Sequence, residues 1–420
     1  MRKAKNIFAN IDITTIILFL ALVVFGWVNI YASQFNDDMQ FTLDFSTRYG
    51  KQLYFIIFSI FCGFLTLIID WKFYYSLSYI LYGLMIISLI VVLIIGGVTG
   101  GATSWFELGS LKFQPSEFAK FTTALAVAKF FNMQDSKNKK IKTKIYSYII
   151  ILIPCLLIIL QNDVGTALVF SAFILVLYRE GLSINILFLI LITAILFLLS
   201  LLIDQKILIY IFSIIAVVSL LFFRFNKKDL ITISIIWLVS VVFISGANYF
   251  VYDILAPHQS KRIDVLLGKE FDPYGAGYNL IQSKIAIGSG GSWGKGFLNG
   301  TQTRFDFVPE QSTDFIFCTI GEEWGFVGSL FFISLFIGLI CRIVFLAERQ
   351  RSNYSRIYGY SVACILFVHF VINIGMTIGL LPTIGIPLPF ISYGGSSLLG
   401  FTTLLFIFLN LDSYRLDILR

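Results

Sequence analysis

The chain carries ionisable side chains where they are costly. Glu117 and Lys120 stand three residues apart at the start of an apolar run, and Asp163 stands between two more, in "QNDVGTA". A charged group at the centre of a membrane helix costs about 2.5–3.5 kcal/mol on insertion scales, so such groups mark functional sites or ion pairs between helices. At this spacing Glu117 and Lys120 share a helix face and can pair. The pair reads equally as a structural bridge and as part of a site, and Asp163 equally as a helix cap and as a site residue. Asp314, Glu322 and Glu323 open a later run, where the helix macrodipole alone could account for acids.

A second group of charges lies in the long connection 251–313: Lys261, Arg262, Asp264, Lys269, Glu270, Asp272, Lys284, Lys295, Arg304, Asp306 and Glu310. A site for an anionic phospholipid head group needs cations to hold phosphate and a carboxylate to accept a hydroxyl proton. By charge alone the same stretch also reads as a solvated loop. Within it, "GYNLIQSKIAI" (277–287) predicts a short amphipathic helix with Tyr278, Ile281 and Ile285 on one face. "GSGGSWGKG" (288–296) lacks the glycine and the Ser or Thr of a Walker loop, and is left as an anion nest beside Lys295. In "GLLPTIGIPLPFISYGGSS" (379–397), Pro382, Pro387 and Pro389 interrupt helix, while Ser392, Tyr393, Gly394, Gly395, Ser396 and Ser397 offer polar groups. Non-helical backbone at membrane depth survives only where protein or a water-filled cavity satisfies it, so this stretch is expected to rim a binding site.

The elements that must position these residues follow from composition. The 420 residues are 58% hydrophobic and 13% charged, with a mean hydropathy of +0.87, which excludes a soluble globular domain. Continuous apolar runs exclude a β-barrel. Twelve runs predict membrane helices near 13–32, 53–69, 74–95, 117–131, 145–160, 164–178, 184–203, 207–223, 230–250, 314–346, 356–380 and 397–411. The two runs around Asp163 are either two helices or one broken one. Basic residues gather in short connections on the side of Arg2, Lys3 and Lys5, which predicts a multi-pass protein of the cytoplasmic membrane with both termini cytoplasmic. The first run is too long for a signal-peptide core and reads as an uncleaved anchor. Cys62, Cys155, Cys318, Cys341 and Cys364 all fall in predicted spans and suggest neither disulfides nor metal ligation. His258 and His369 are too isolated for a metal site, and His369 reads as a residue packed within its helix. The expected fold is an all-α polytopic bundle of about 10–12 transmembrane helices, one membrane domain over 1–420 with a large extracytoplasmic loop at 251–313.

Six stretches, "FQPSEFAK" (113–120), "QNDVGTA", "DPYGAGYNLIQSKIAIGSGG" (272–291), "GKGFLNGTQ", "FVPEQSTDFIF" (307–317) and "GIPLPFISYGGSS", resemble in order the signatures of the SEDS family of shape, elongation, division and sporulation proteins. The likeness covers nearly the whole chain outside 180–250, and its later motifs look closer to the elongation branch than to the division branch. It implies an inverting peptidoglycan glycosyltransferase that polymerises lipid II on the outer face of the membrane, with undecaprenyl pyrophosphate as leaving group. It also implies a class B penicillin-binding transpeptidase and other elongation-complex membrane proteins as partners, with no nucleic acid. The family's loop aspartate falls on Asp272 as catalytic base, and its membrane motifs fall on Glu117, Lys120 and Asp163. Arg262, Lys295 and Lys120 are candidates for holding the pyrophosphate. Gln302, Glu310, Asp314, Ser392, Gly394, Gly395 and Ser396 complete the expected substrate-binding set. A divalent cation, Mg or Mn, shared between phosphate and carboxylates would suit this chemistry, although no composed metal site is legible. The family usually has ten spans, so the surplus at 184–250 predicts an extra helix pair, placed at 184–223. The rival readings are a lipid II flippase or other transporter, and a noncatalytic cell-wall scaffold.

Overall fold

A computed structural model describes residues 10–35, 43–99, 101–109, 111–134, 141–181, 183–222, 227–254, 257–269, 275 and 277–416. Each of the twelve apolar runs is helical over most of its described residues. In chain order the helices are α1 (Ile13–Ala32), α2 (Arg48–Ile68), α3 (Trp71–Ile95), α4 (Pro115–Met133), α5 (Ile141–Leu160), α6 (Val164–Val169), α7 (Ala172–Arg179), α8 (Ile184–Leu202), α9 (Gln205–Phe222), α10 (Lys227–Tyr249), α11 (Pro257–Leu266), α12 (Tyr278–Ser289), α13 (Ile316–Glu348), α14 (Asn353–Thr377) and α15 (Gly395–Ser413). Among the described residues, eight spans within these helices are long and apolar enough to cross a membrane. The chain is an integral membrane protein. The region around Asp163 resolves into α5 and a separate run that is itself broken between α6 and α7.

The chain packs as two compact units, Met1–Leu177 with Asn279–Arg420, and Tyr178–Tyr278. In the first, burial sorts the helices. The spans of α14 and α15 are 72% and 78% buried against 17% for α3, whose outward residues such as Ile94 suit a lipid-facing surface. Helix α4 joins them at the centre, touching α3, α5, α14 and α15. Its sequence explains why. The stretch Ala124–Ala128 is small and apolar and fully enclosed, so neighbouring helices can approach closely. Polar residues on α4 are therefore shielded from lipid by protein.

Polar side chains tie the helix ends together. Asn410 Nδ2 on α15 donates to the carbonyls of Thr66, Leu67 and Ile69, satisfying the frayed end of α2. Asp12 caps α1 by accepting from Thr15 N at 2.9 Å and pairs with Arg342 of α13. Buried Asp412 accepts from Arg349, Gln350 and Arg415, and Arg415 also reaches the carbonyl of Asn10. The start of α1 and the end of α15 thus share one end of this unit.

The connection before α4 is a small antiparallel sheet, the one sheet among the described residues: β1 (Gly97–Thr99), β2 (Ala102–Leu108) and β3 (Leu111–Phe113), in the order β1-β2-β3. Phe106 faces Phe113 in the register, and Thr103 N bonds the carbonyl of Gln161 at 3.0 Å. The sheet delivers the chain into α4 with its direction set.

In the second unit α10 packs on α8 and α9. Trp237 Nε1 donates to Ser213 Oγ, Gln205 Nε2 to Ser245 Oγ, and Asn248 Nδ2 to the carbonyl of Ser200. A π-helical turn, Phe250–Ile254, leads towards α11, and Tyr252 OH donates to Asp264.

Candidate active site

Helix α4 starts from Gln114 with Pro115 in its first turn, where the missing N–H costs nothing. One turn on, Lys120 Nζ donates to Glu117 Oε2 at 2.8 Å, and both residues are almost wholly buried. On the other side Nζ lies 2.9 Å from Nε2 of His369 on α14. An ammonium only donates, so Nε2 is the acceptor and the imidazole proton sits on Nδ1. Nδ1 is 3.2 Å from the carbonyl oxygen of Pro387, which it can bond only as a donor. The Phe401 ring of α15 completes the surround, 4.6 Å from Nζ and edge-on to His369. Carboxylate, imidazole and aromatic face together account for the three ammonium protons.

The prolines of 379–394 hold that stretch in a non-helical path across α6 and α14. Asn373 Nδ2 donates to the carbonyls of Asp314 and Ile386, and a Cβ on Gly165 of α6 would lie 2.9 Å from the carbonyl of Ile384. Asp163 caps α6 by accepting from Thr166 N at 3.0 Å, and it also accepts from Gln114 Nε2 at 2.9 Å. Capping and site roles are therefore compatible. Ser396 Oγ accepts from Gln114 N and donates to the carbonyl of Lys112. Ser392 Oγ accepts from Leu388 N and donates to the carbonyl of Thr313, while Gly394 N donates to Gln52. Gly395 packs where a Cβ would meet the Phe55 ring at 2.9 Å. The groups expected to face a ligand at 392–396 mostly brace the segment itself. Ser116 Oγ and Asn373 Oδ1 remain buried without a protein partner among the described residues.

A second buried charge forms at a break in α13. Gly325 has φ 65° and ψ −160°, so the helix stops and restarts there. The glycine-rich loop splices the gap: Lys295 N and Gly296 N donate to the carbonyls of Glu322 and Glu323, while Phe326 N and Val327 N donate to the carbonyls of Gly291 and Ser292. These amides serve the helix, not an anion nest. Glu322, fully buried, accepts from Lys295 Nζ at 2.7 Å, from the backbone N–H groups of Thr301, Gln302 and Thr303 at 2.8–2.9 Å, and from both threonine hydroxyls. The macrodipole reading fails for Glu322 and Glu323 for a geometric reason: α13 begins at Ile316, so both lie beyond its first turn, just before the break, and Glu322 sits inside a cage of donors.

Residues predicted from the sequence thus separate. Glu117 and Lys120 meet each other and His369; Asp163 and Ser396 meet through Gln114. Asp314 Oδ2 lies beside Gly385 of the irregular stretch. Lys295 and the Gln302 amide belong to the Glu322 cage, and Glu310 stands 3.9 Å from Arg48. Arg262 lies on α11 in the other unit. Asp272 lies outside the described residues. Helix α12 forms as predicted, but its buried face is Leu280, Ser283 and Ala286, and Ile285 is exposed. Ser283 is there because its hydroxyl bonds the carbonyl of Thr377. Sequence reasoning missed Gln114, His369 and the Glu322 cage. One signal for His369 was available: with Asn373 it makes an i,i+4 polar pair in the otherwise apolar stretch 362–376 of α14.

Among the described residues no three His, Cys, Asp or Glu side chains converge as metal ligands.

The sequence profile of the FtsW/RodA/SpoVE cell cycle proteins matches residues 13–213 and 206–416. The chain belongs to this family. Among relatives of this FtsW/RodA/SpoVE protein, the peptidoglycan glycosyltransferase MrdB of Escherichia coli (strain K12) is 36% identical over 80% of this chain and 77% of its own. The peptidoglycan glycosyltransferase RodA of Treponema pallidum (strain Nichols) is 32% identical over 93% of this chain and 94% of its own. A solved chain described under structural coordination of polymerization and crosslinking by a peptidoglycan synthase complex shares the fold with a TM-score of 0.69, at 27% identity over 97% of this chain and 99% of that one. The rod shape determining protein RodA of Thermus thermophilus, at 22% identity, shows the same fold with a TM-score of 0.62 over 97% and 98% of the two chains.

Proposed function

We propose that the chain is a peptidoglycan glycosyltransferase that polymerises lipid II into glycan strands during cell elongation. The observation that carries this is the enclosed Lys120 ammonium, held between Glu117, His369 and Phe401 beside the irregular 379–394 segment. A cation kept in low dielectric is suited to a pyrophosphate, whose charge grows as it leaves. The names of the relatives support the same reaction. This cluster is level with Phe401 of α15, about 17 Å along that helix from Asp412 at the shared termini, and the irregular segment enters α15 at its opposite end. With the termini cytoplasmic, that end of α15 faces the outer leaflet.

The chemistry then runs as an inversion. Asp272 takes the proton of the acceptor GlcNAc 4-hydroxyl, whose oxygen attacks the anomeric carbon of the donor MurNAc. The bond to undecaprenyl pyrophosphate breaks on the opposite face. An α-linked donor becomes a β-1,4 glycan in one displacement, so one base suffices and no glycosyl-enzyme forms. Lys120 steadies the departing pyrophosphate. A class B penicillin-binding transpeptidase is the partner in this reading, in keeping with the synthase complex that shares the fold.

The test is gel analysis of glycan made from labelled lipid II in detergent, by the purified chain alone and with its transpeptidase. Wild type should polymerise and Asp272→Asn should not, although it elutes and melts as the wild type does. Full activity in Asp272→Asn would overturn the assignment of the base. No polymer from folded wild type with the partner present would favour a flippase or scaffold.

A further inference from the structure

We propose that His369 is a positioning residue for polymerisation, setting the direction of the Lys120 ammonium and tying it to the irregular segment; this rests on the reading of Lys120 as a ligand of the donor pyrophosphate.

The argument is one of valence. His369 is 1% exposed, and its two ring nitrogens face partners of opposite character. Nε2 meets a group that only donates, Lys120 Nζ at 2.9 Å, and Nδ1 meets a group that only accepts, the Pro387 carbonyl at 3.2 Å. The neutral Nδ1–H tautomer is the one form that satisfies both. Pro387 lies between Pro382 and Pro389, so its carbonyl is held by stiff backbone that has no helix ladder of its own. The imidazole therefore transmits the placement of 384–389 to the ammonium. Without it, a flexible four-carbon stem would be aimed by Glu117 alone, which sits one turn away on the same helix. Asn373, four residues on along α14, bonds the Ile386 carbonyl and fixes the same stretch from the neighbouring turn. A ligand phosphate reaching Lys120 would replace the weakest of its three contacts, the Phe401 face, and leave the two hydrogen bonds to hold the ammonium on target.

The prediction separates hydrogen bonding from packing. His369→Phe keeps an aromatic ring against Phe401 but offers Lys120 no acceptor. His369→Gln carries an acceptor and a donor on one terminal amide and can serve both neighbours. Initial rates of lipid II polymerisation are measured against lipid II concentration for wild type, both variants and Lys120→Met, each checked by size exclusion and thermal melting. His369→Phe should raise KM about ten- to hundredfold, the value of a hydrogen bond to a charged group, with a smaller change in kcat, and His369→Gln should restore KM towards wild type. If His369→Phe does not fold, His369→Met takes its place. A wild-type KM in the apolar variant, with KM raised in Lys120→Met, overturns the positioning role and leaves the reading of Lys120 standing. Equal defects in the Gln and apolar variants also overturn it. An unchanged KM in Lys120→Met removes that reading and the proposal together.

Discussion

At the scale of single residues, the chain keeps two buried charges by two different means. Lys120 is held by side chains from three helices, and Glu322 by backbone N–H groups, hydroxyls and the Lys295 ammonium of the connection that precedes α13. The difference decides what each can do. A carboxylate saturated by Lys295 and several further donors has no capacity left for a ligand, so Glu322 is a fastening. Glu322→Gln places an amide NH2 among donors and leaves Lys295 without its partner. It should lower stability by about 3 kcal/mol, as expected when one side of a buried ion pair is lost. The check is thermal melting in detergent, and a melting curve unchanged from wild type would show that the cage does not hold the loop. Lys120 has an aromatic face as its third contact, which an anion can displace, and that makes it the better candidate for binding.

At the scale of elements, the break in α13 and the loop 290–296 are one device. Two loop amides serve the carbonyls before the break, and two loop carbonyls serve the amides after it. The contact is backbone on backbone. Gly294 has φ 77°, and a Cβ there would lie 2.1 Å from the Glu323 carbonyl oxygen. Gly294→Ala should therefore cost at least about 2 kcal/mol through overpacking and left-handed strain. Limited proteolysis should show cleavage in 288–303 faster than in wild type; equal rates would mean that the splice tolerates separation. The charge assignment of 251–313 as a solvated loop is only half the description, because Lys295 within it is drawn to a buried acid.

At the scale of the whole molecule, the first unit is closed at its basic end by Asp12, Arg342, Arg349, Asp412 and Arg415, which join α1, α13 and α15. Burial alone would raise the Asp12 carboxyl, but the hydrogen bonds from Arg342 and Thr15 outweigh it and hold its pKa at about 2, below the ordinary aspartate value of 3.8. The sign follows from linkage. A folded value below the unfolded one stabilises fully above about pH 4, and that contribution disappears as pH falls through about 2. Thermal melting of Asp12→Asn should be lower than wild type at neutral pH, and the two curves should converge between pH 4 and pH 2. Parallel curves over that window would show that Asp12 is not a stabilising link between α1 and α13.

The sequence by itself determined the class of the molecule, because runs of about twenty apolar residues have few other outcomes than membrane helices. It also pointed to Glu117 with Lys120, whose spacing puts them on one face, and to Asp163 as a cap, because both are local relations along a single helix. The His369 bond to Lys120, the link from Gln114 to Asp163 and the closure of the donor cage on Glu322 were decided only by tertiary structure. These contacts join residues 249, 49 and up to 27 positions apart. A lone histidine on an apolar helix looks the same in sequence whether it faces lipid, a leucine or an ammonium. The physical reason is that periodicity tells which face a residue occupies, whereas the partner on that face depends on which other helix packs there.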